Sequence, residues 1–312
     1  MTDYQMNLEK RYHAKLMLAG EYGVIAGSEA LTVPLKNFHA RLAHRDEKEV
    51  EDNGKVVDSV SSLRELLIHI RSLPKNSFYA TPDFQKVEYL LKKGFFIDST
   101  IPQGYGIGSS GAVSALVYDQ FFSPGKKPGL PHQLRDLATI ESAFHGKSSG
   151  VDAMTSLMDT PLHFNTEKQI TKVKGDPLKP PGGYRFFLLD SEQFLKTAPL
   201  VEIFLDKMKE ISFQKMITED YFGLIRKFIA TITGNTGHDA ALIFRAISDF
   251  QWNQFRMMIP ETIEDAWIEG QVSNTYYLKI NGSGGGFLLG IAHENSKEMV
   301  EDMLVGKKII WV

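Results

Sequence analysis

The stretch that most constrains this chain is residues 101–112, IPQGYGIGSSGA, in which glycines recur among small and apolar residues. Glycine tolerates a positive φ and lets backbone N–H groups approach a ligand closely. The small and apolar residues 112–118 predict a helix that begins at this loop, and the N-terminus of a helix attracts anions. The stretch therefore predicts a phosphate-binding loop, and a tight strand-to-helix turn without a ligand is the alternative.

Two better-known phosphate loops fit less well. Residues 106–111 match the G-x-G-x-x-G pattern of dinucleotide-binding folds, after an apolar run at 95–97. However, a proline-broken loop at 121–131 follows the predicted helix, where that fold would supply a second strand and a ribose-binding acid. Residues 146–148 resemble the end of a Walker A loop, but Glu141 stands where that motif requires glycine. Both loops are therefore disfavoured.

The composition indicates a globular protein with a sizeable core. The chain has 312 residues, of which 43% are apolar, and its formal net charge is −3, so we expect no basic face for nucleic acid. It has no cysteine, which excludes disulfides, thiolate nucleophiles and cysteine-ligated zinc. Residues 1–15 are polar and charged, unlike a signal peptide, and no apolar run is long enough to span a membrane. We expect a soluble, cytoplasmic protein without a membrane partner.

Predicted strands and helices are mixed in both halves of the chain, giving an α+β fold, and the segment 172–183, rich in proline and glycine, is the best domain boundary. Before it we predict strands at 12–20, 31–35, 40–43, 95–101 and 162–164, helices at 62–72, 82–93, 112–122 and 133–144, and a hairpin turn at 52–55. After it we predict strands at 184–190, 276–280, 287–291 and 308–311, and helices at 199–216, 219–232, 238–258 and 296–304.

Several polar residues lie in otherwise apolar or glycine-rich surroundings. Lys15 and Glu21 interrupt an apolar segment, and Asp152 lies among small residues after a predicted helix. Each has an ordinary explanation, because a lysine can be the solvated end of a strand, a glutamate can cap a turn and an aspartate can cap a helix. Residues 281–286 form a second glycine cluster, which is either a close-approach site or a plain hairpin. Only the order of these segments along the chain distinguishes the alternatives.

In chain order the segments read K…GEY at 15–22, PxGxGxGSS at 102–110, HGxxSGxD at 145–152 and NGxGGG at 281–286. Over nearly the whole chain this order resembles the GHMP small-molecule kinase superfamily. It is most similar to the bacterial mevalonate kinases, because HGxxSGxD after an acid-bearing helix is their typical form of the central motif. The resemblance implies two domains: a ribosomal S5-like ATP-binding half in residues 1–175 and a ferredoxin-like half in residues 176–312.

The resemblance also implies roles for particular residues. Asp152 takes the proton from the alcohol, and Lys15 beside it holds the aspartate ionised. Ser110 and Glu141 ligate Mg²⁺. The ATP phosphates contact residues of both glycine clusters, namely Gly104, Gly106, Ile107, Gly108, Ser109, Ser110, Gly111, Gly284 and Gly285. The substrate contacts are Lys15, Glu21, Tyr22, Ser149, Asp152 and Thr197.

The implied function is ATP-dependent phosphorylation of the primary alcohol of mevalonate, by a monomer or homodimer. Departures from the family pattern keep alternatives open. Tyr22 replaces the histidine that is usual in mevalonate kinases, and Gly-Glu-Tyr is frequent in phosphomevalonate kinases. Leu195 replaces the basic residue expected two places before Thr197, with Lys196 adjacent, and Ser283 replaces an alanine. The alternatives are a phosphomevalonate kinase or another GHMP kinase and, in a different class, a non-catalytic nucleotide or metabolite sensor. A nucleotide-dependent oxidoreductase is least favoured.

Overall fold

The computed structural model describes residues 7–46, 53–123, 128–193, 197–234 and 236–312. The chain folds into two compact units, each built from separate stretches of sequence. Unit 1 comprises Met1–Lys15, Pro34–Pro102 and Gly108–Thr160, and unit 2 comprises Leu16–Val33, Gln103–Ile107 and Pro161–Val312. The predicted division of the sequence at residue 175 stays a prediction.

Helices and strands are mixed along the described residues, and the predicted α+β class is confirmed. The strands are β1 (Tyr12–Ala19), β2 (Ala30–His44), β3 (Thr81–Pro82), β4 (Phe95–Ser99), β5 (Phe122–Ser123), β6 (Leu162–Phe164), β7 (Ile170–Lys172), β8 (Tyr184–Asp190), β9 (Tyr276–Ile280), β10 (Phe287–His293) and β11 (Ile309–Trp311). The α-helices are α1 (Asn53–Ser72), α2 (Phe84–Lys92), α3 (Ser109–Phe121), α4 (Leu130–His145), α5 (Val151–Met158), α6 (Thr197–Lys207), α7 (Ile211–Met216), α8 (Phe222–Gly234), α9 (Ala240–Gln254), α10 (Glu264–Ser273) and α11 (Lys297–Met303). A π-helical segment, Ile217–Tyr221, joins α7 to α8.

Unit 1 is built around α3, a helix that is buried on most sides. Its residues are mainly small or apolar, and α4 and α5 pack against it. Gly111 lets α3 and α5 come close together, because a methyl group at this position would lie only 2.7 Å from Cβ of Asp152 on α5. Elsewhere in this unit, residues 40–44 of β2 pair with β4 in antiparallel register. The tight packing of α3 on α5 fixes the first turns of these two helices side by side.

Unit 2 contains a four-stranded antiparallel sheet in the order β11-β8-β10-β9. Helices separate β8 from β9 and β10 from β11, so the connectivity and strand order are those of the ferredoxin-like β-α-β-β-α-β arrangement. The predicted ferredoxin-like fold is therefore confirmed. Residues 186–189 of β8 are fully buried, as their unbroken apolar run predicts, and α9 and α10 pack against β9. In this unit β6 also pairs with β2 and with β7.

The predicted hairpin at 52–55 is wrong for the residues that the structure describes, because α1 begins at Asn53. Two contacts hold the first part of this helix against the strands. The hydroxyl of Ser59 donates to the carbonyl of Ile97, at 2.6 Å, and accepts from the backbone N–H of Ile97, at 3.0 Å. Val60 packs against a buried cluster of β2 and β4 residues. These tertiary contacts outweigh the turn preference of the Asn-Gly dipeptide.

None of the helices in the described ranges combines the length and the apolar character that crossing a bilayer requires.

Candidate active site

The second half of the glycine-rich loop forms the N-terminus of α3 in unit 1. Gly108 precedes the helix with a φ of 76°. The first intrahelical bond runs from the N–H of Ala112 to the carbonyl of Gly108, at 3.0 Å. The N–H groups of Ser109, Ser110 and Gly111 therefore lie in the first turn of α3, the part of a helix that favours an anion.

Lys15 and Asp152 lie beside this helix end. The Nζ atom of Lys15 is 3.1 Å from Oδ1 of Asp152; the lysine side chain is 1% exposed and the aspartate 26% exposed. A methyl group on Gly108 would lie 3.0 Å from Cγ of Lys15 and 3.4 Å from Oδ2 of Asp152. A buried ammonium is costly without a counter-charge, so Asp152 stabilises Lys15 in this position. The pair that the sequence predicted is brought together within one unit.

Glu141 is the third charged residue of this group. It is buried on α4, where its Oε1 accepts a hydrogen bond from Oγ of Ser110, at 3.2 Å, and its Oε2 accepts one from Oγ of Ser148, at 2.5 Å. Burial, and next the negative charge of Asp152, raise the pKa of Glu141 to about 7, against the opposing effects of Ser148, Ser110 and Lys15. The carboxyl groups of Glu141 and Asp152 thus lie close enough to repel each other, and a cation bound between them would relieve this repulsion.

The donor set of this group fits Mg²⁺. Glu141 and Ser110 supply hard oxygen atoms, which Mg²⁺ prefers, and protein sites for this ion commonly provide one or two carboxylates and leave the other positions to phosphates and water. In the ranges that the structure describes, no group of three or more His, Asp and Glu side chains could hold a metal by itself. Glu141 and Ser110 could therefore hold Mg²⁺ as two of its oxygen ligands.

The first half of the glycine-rich loop belongs to unit 2, where it packs against the second glycine cluster. Nδ2 of Asn281 donates to the carbonyl of Gly106 at 3.2 Å, and a methyl group on Gly106 would lie only 2.3 Å from the carbonyl oxygen of Asn281. Gly104, Gly284 and Gly285 have positive φ angles. The side chain of Ile107 is fully buried, so only its backbone can face a ligand. Contacts of these residues with phosphates stay a prediction.

Glu21 forms a buried ion pair that the sequence did not predict. Its carboxylate pairs with Lys279 of β9, and the same ammonium donates to the carbonyls of Met17, at 3.1 Å, and Ile280, at 3.0 Å. Both charged side chains are almost fully buried. The available signal was a single lysine inside the apolar strand YYLKI. The predicted contact of Glu21 with substrate stays a prediction, and in the structure this carboxylate is engaged by a lysine.

Tyr22 is also buried, and its hydroxyl donates to the carbonyl of Ser283 at 2.5 Å. Burial raises the pKa of Tyr22 above its usual range. Its φ of 58° is in the left-handed region, which is strained for a tyrosine. Side-chain contacts therefore hold Tyr22 in place: its ring packs against Phe204 and Phe255, and its hydroxyl contacts the second glycine cluster.

The other predicted substrate contacts differ in their surroundings. Ser149 is exposed, and its Oγ accepts a long hydrogen bond of 3.4 Å from the N–H of Val151 at the start of α5. Thr197 is the first residue of α6, but its side chain is not described, and Leu195 and Lys196 lie outside the described residues. Their roles stay predictions. Sequence reasoning missed Ser148, which stood in the polar loop without an assigned role.

Part of this arrangement lies in a region that matches a family model. Residues 78–160, which include Ser110, Glu141 and Asp152, match the family model of the GHMP kinases N terminal domain. No protein with a curated description matches the sequence.

Solved structures similar to this chain include mevalonate kinases, a phosphomevalonate kinase and a galactokinase. The mevalonate kinase of Methanococcus jannaschii has a TM-score of 0.62 and 17% identity, covering 97% of this chain and 96% of that one. The phosphomevalonate kinase of Streptococcus pneumoniae in complex with phosphomevalonate and AMPPNP has a TM-score of 0.60 and 15% identity, covering 96% and 99%. The galactokinase of Lactococcus lactis complexed with galactose has a TM-score of 0.61 and 11% identity, covering 97% and 91%.

At these identities the similarity is one of fold. The family match covers residues 78–160, and the solved structures extend the likeness of fold to GHMP kinases over nearly the whole chain.

Proposed function

We propose that this protein is a small-molecule kinase that transfers the terminal phosphoryl group of ATP to the primary alcohol of mevalonate and forms 5-phosphomevalonate. The observation that carries the proposal is the pairing of Lys15 with Asp152, at 3.1 Å, directly beside Gly108 at the start of α3. A carboxylate, a buried ammonium and a helix N-terminus thus lie together, as transfer of a phosphoryl group to an alcohol requires.

The roles of these residues follow from the chemistry of phosphoryl transfer. The alcohol oxygen forms a bond to the terminal phosphorus, the bond from that phosphorus to the bridging oxygen breaks, and ADP leaves. Asp152 accepts the hydroxyl proton, and its partial exposure lets an alcohol reach its carboxylate. Lys15 orients Asp152 and stabilises the negative charge that develops on the alcohol oxygen.

The phosphates are bound mainly by backbone groups in this proposal. The N–H groups of the first turn of α3 contact the phosphate oxygens, and glycine at 108 lets them approach. Ser110 and Glu141 would hold Mg²⁺, which neutralises charge on the transferred group when it is bound.

The choice of mevalonate rests on the order and form of the motifs, above all HGxxSGxD at 145–152. Phosphomevalonate is the second candidate substrate, because Tyr22 stands where a histidine is usual in mevalonate kinases and a phosphomevalonate kinase shares the fold. A non-catalytic sensor is less favoured. Lys15, Asp152, Ser110 and Glu141 are all present and lie together, although a sensor has no chemical need for the full set.

A substrate panel tests the proposal. The purified chain with Mg-ATP is supplied in turn with mevalonate, phosphomevalonate, homoserine and galactose, and ADP release is followed for each. We expect the fastest release with mevalonate. Faster release with phosphomevalonate would move the assignment to the second candidate. ATP binding without turnover on any of these compounds would favour the sensor.

A further inference from the structure

Ser148 makes a contact that the proposed mechanism does not use. It lies in the loop between α4 and α5, and its Oγ is 2.5 Å from Oε2 of Glu141. Ser110 contacts the other oxygen, Oε1, at 3.2 Å. The two oxygens of one buried carboxylate therefore have different hydroxyl partners, and the shorter contact is made by Ser148.

The direction of this hydrogen bond follows from a second contact. The backbone N–H of Gly150 donates to Oγ of Ser148, at 3.0 Å. A hydroxyl has one hydrogen and can accept through its lone pairs. Because Oγ is the acceptor for Gly150, its hydrogen is available for Oε2 of Glu141, and an ionised carboxylate makes such a bond short and strong.

The loop that carries Ser148 is held firmly against α4. A methyl group on Gly150 would lie 2.6 Å from the carbonyl oxygen of Leu134, and the φ of Gly150 is 74°. The backbone at Gly150 therefore cannot shift toward α4 without a clash. Glu141 is on the same helix, so the distance between Ser148 and the carboxylate is set by backbone packing and not by a flexible side chain alone.

We propose that Ser148 is a positioning residue that holds Oε2 of Glu141 and leaves Oε1, together with the hydroxyl oxygen of Ser110, as the oxygen offered to the divalent cation. The inference rests on the proposed function, since it concerns the cation that accompanies the nucleotide. Hydrogen bonds to ligating carboxylates commonly change metal affinity by about 10- to 100-fold.

This arrangement also favours a small cation. Mg²⁺ requires near-ideal octahedral geometry, whereas Ca²⁺ accepts carboxylates through one or both oxygens in a flexible geometry. Ser148 holds Oε2 at 2.5 Å, whereas Oε1 has the longer contact, 3.2 Å from Ser110, so Oε1 is the oxygen that can turn more readily to a cation. Removing the hydroxyl releases Oε2, so binding of Mg²⁺ should weaken while binding of Ca²⁺ should weaken less or improve.

The test measures cation binding without turnover. Full-length wild-type protein, Ser148→Ala and Ser148→Thr are saturated with the non-hydrolysable analogue AMPPNP, and Mg²⁺, Mn²⁺ and Ca²⁺ are titrated by calorimetry. Ser142→Ala is the matched control, because Ser142 neighbours Glu141 on α4 but its hydroxyl donates to the carbonyl of Thr139, at 2.7 Å. Thermal unfolding of each variant checks its folding.

We expect Ser148→Ala to bind Mg²⁺ and Mn²⁺ about 10- to 100-fold more weakly, with a lower ratio of Mg²⁺ to Ca²⁺ affinity. Ser148→Thr keeps the hydroxyl and should be within a few-fold of wild type, as should Ser142→Ala. Unchanged affinities and an unchanged ratio in Ser148→Ala would overturn the inference. If Ser148→Ala does not fold, Ser148→Cys replaces it. A thiol is a weak hydrogen-bond donor, so this variant should also lose affinity for Mg²⁺ and Mn²⁺, but by a smaller factor. If wild type itself binds neither AMPPNP nor the cations, the proposed function fails instead.

Discussion

Lys279 and Glu21 form an ion pair between residues 258 positions apart, and neither side chain is more than 1% exposed. Each charge has lost its hydration, so each depends on the other. The pair attaches Glu21, just after the end of β1, to strand β9. This contact lies next to the second glycine cluster.

Breaking this pair should destabilise unit 2. We expect Lys279→Met to lower the free energy of unfolding by about 3–5 kcal/mol, because the buried carboxylate of Glu21 would lose the ammonium that pairs with it. The double variant Lys279→Met/Glu21→Gln should regain part of that loss. Denaturant unfolding of the single and double variants measures both effects.

The matched control is Lys209→Met, which removes a lysine from an exposed pair with Asp206 and should leave unfolding nearly unchanged. If Glu21→Gln kept full stability and only raised KM for the alcohol, Glu21 would act on substrate and not on the fold.

Asp152→Ala should reduce turnover by at least about a hundredfold, because the hydroxyl proton loses its acceptor. Lys15→Met should be similarly damaging. The double variant should be little worse than either single variant, since residues that act as a unit are not additive. Steady-state kinetics of ADP release measure this. Near-normal turnover of Asp152→Ala, in protein that unfolds cooperatively, would contradict the catalytic role.

Gly111→Ala should disturb the packing of α3 on α5. The added methyl group would lie 2.7 Å from Cβ of Asp152 and 2.9 Å from the N atom of Ala153, so we expect a loss of about 1–3 kcal/mol in stability together with reduced turnover. Gly223→Ala on α8 is the control, because its added methyl group would meet no atom of the other described residues within 4 Å. That variant should be as stable as wild type or slightly more stable, since alanine favours a helix. Equal unfolding midpoints for the two variants would show that the packing of α3 on α5 accepts a methyl group at position 111.

In metal-free protein, the pH dependence of the free energy of unfolding should reflect the raised pKa of Glu141. Its pKa rises from 4.5 to about 7 on folding, so between these values the folded state binds more protons than the unfolded state. Stability due to this residue is therefore full below about pH 4.5 and falls as pH rises toward 7, by about 3 kcal/mol in total. Glu141→Gln should remove the fall. Denaturant unfolding in chelator across pH 4.5–8 measures the difference, and parallel curves for both proteins would contradict it.

The sequence predicted those parts of the fold that depend on local pattern. The apolar runs at 184–190 and 276–280 are strands with the predicted bounds, because the buried strands of a covered sheet need no alternation. The predicted hairpin at 52–55 is wrong, because contacts of Ser59 and Val60 with other elements decide the conformation there.

The site was predictable to the extent that residue type and motif order define it. The proximity of Lys15 to Asp152 and of Ser110 to Glu141 agrees with the predicted grouping. The partner of Glu21 was not predictable, because a lysine 258 positions away leaves no local signal. Ser148 was missed for another reason: its neighbour Ser149 fills the motif position, and only the direction of a side chain separates them.

The strand order of the ferredoxin-like sheet has a consequence for the behaviour of the protein at high concentration. β9 is a terminal strand of that sheet, yet its residues are all buried, since α9 and α10 cover it. β11 ends the opposite side and is only three residues long. A covered edge and a very short edge offer little template for adding a strand from another molecule, so the ferredoxin-like sheet should resist edge-to-edge aggregation.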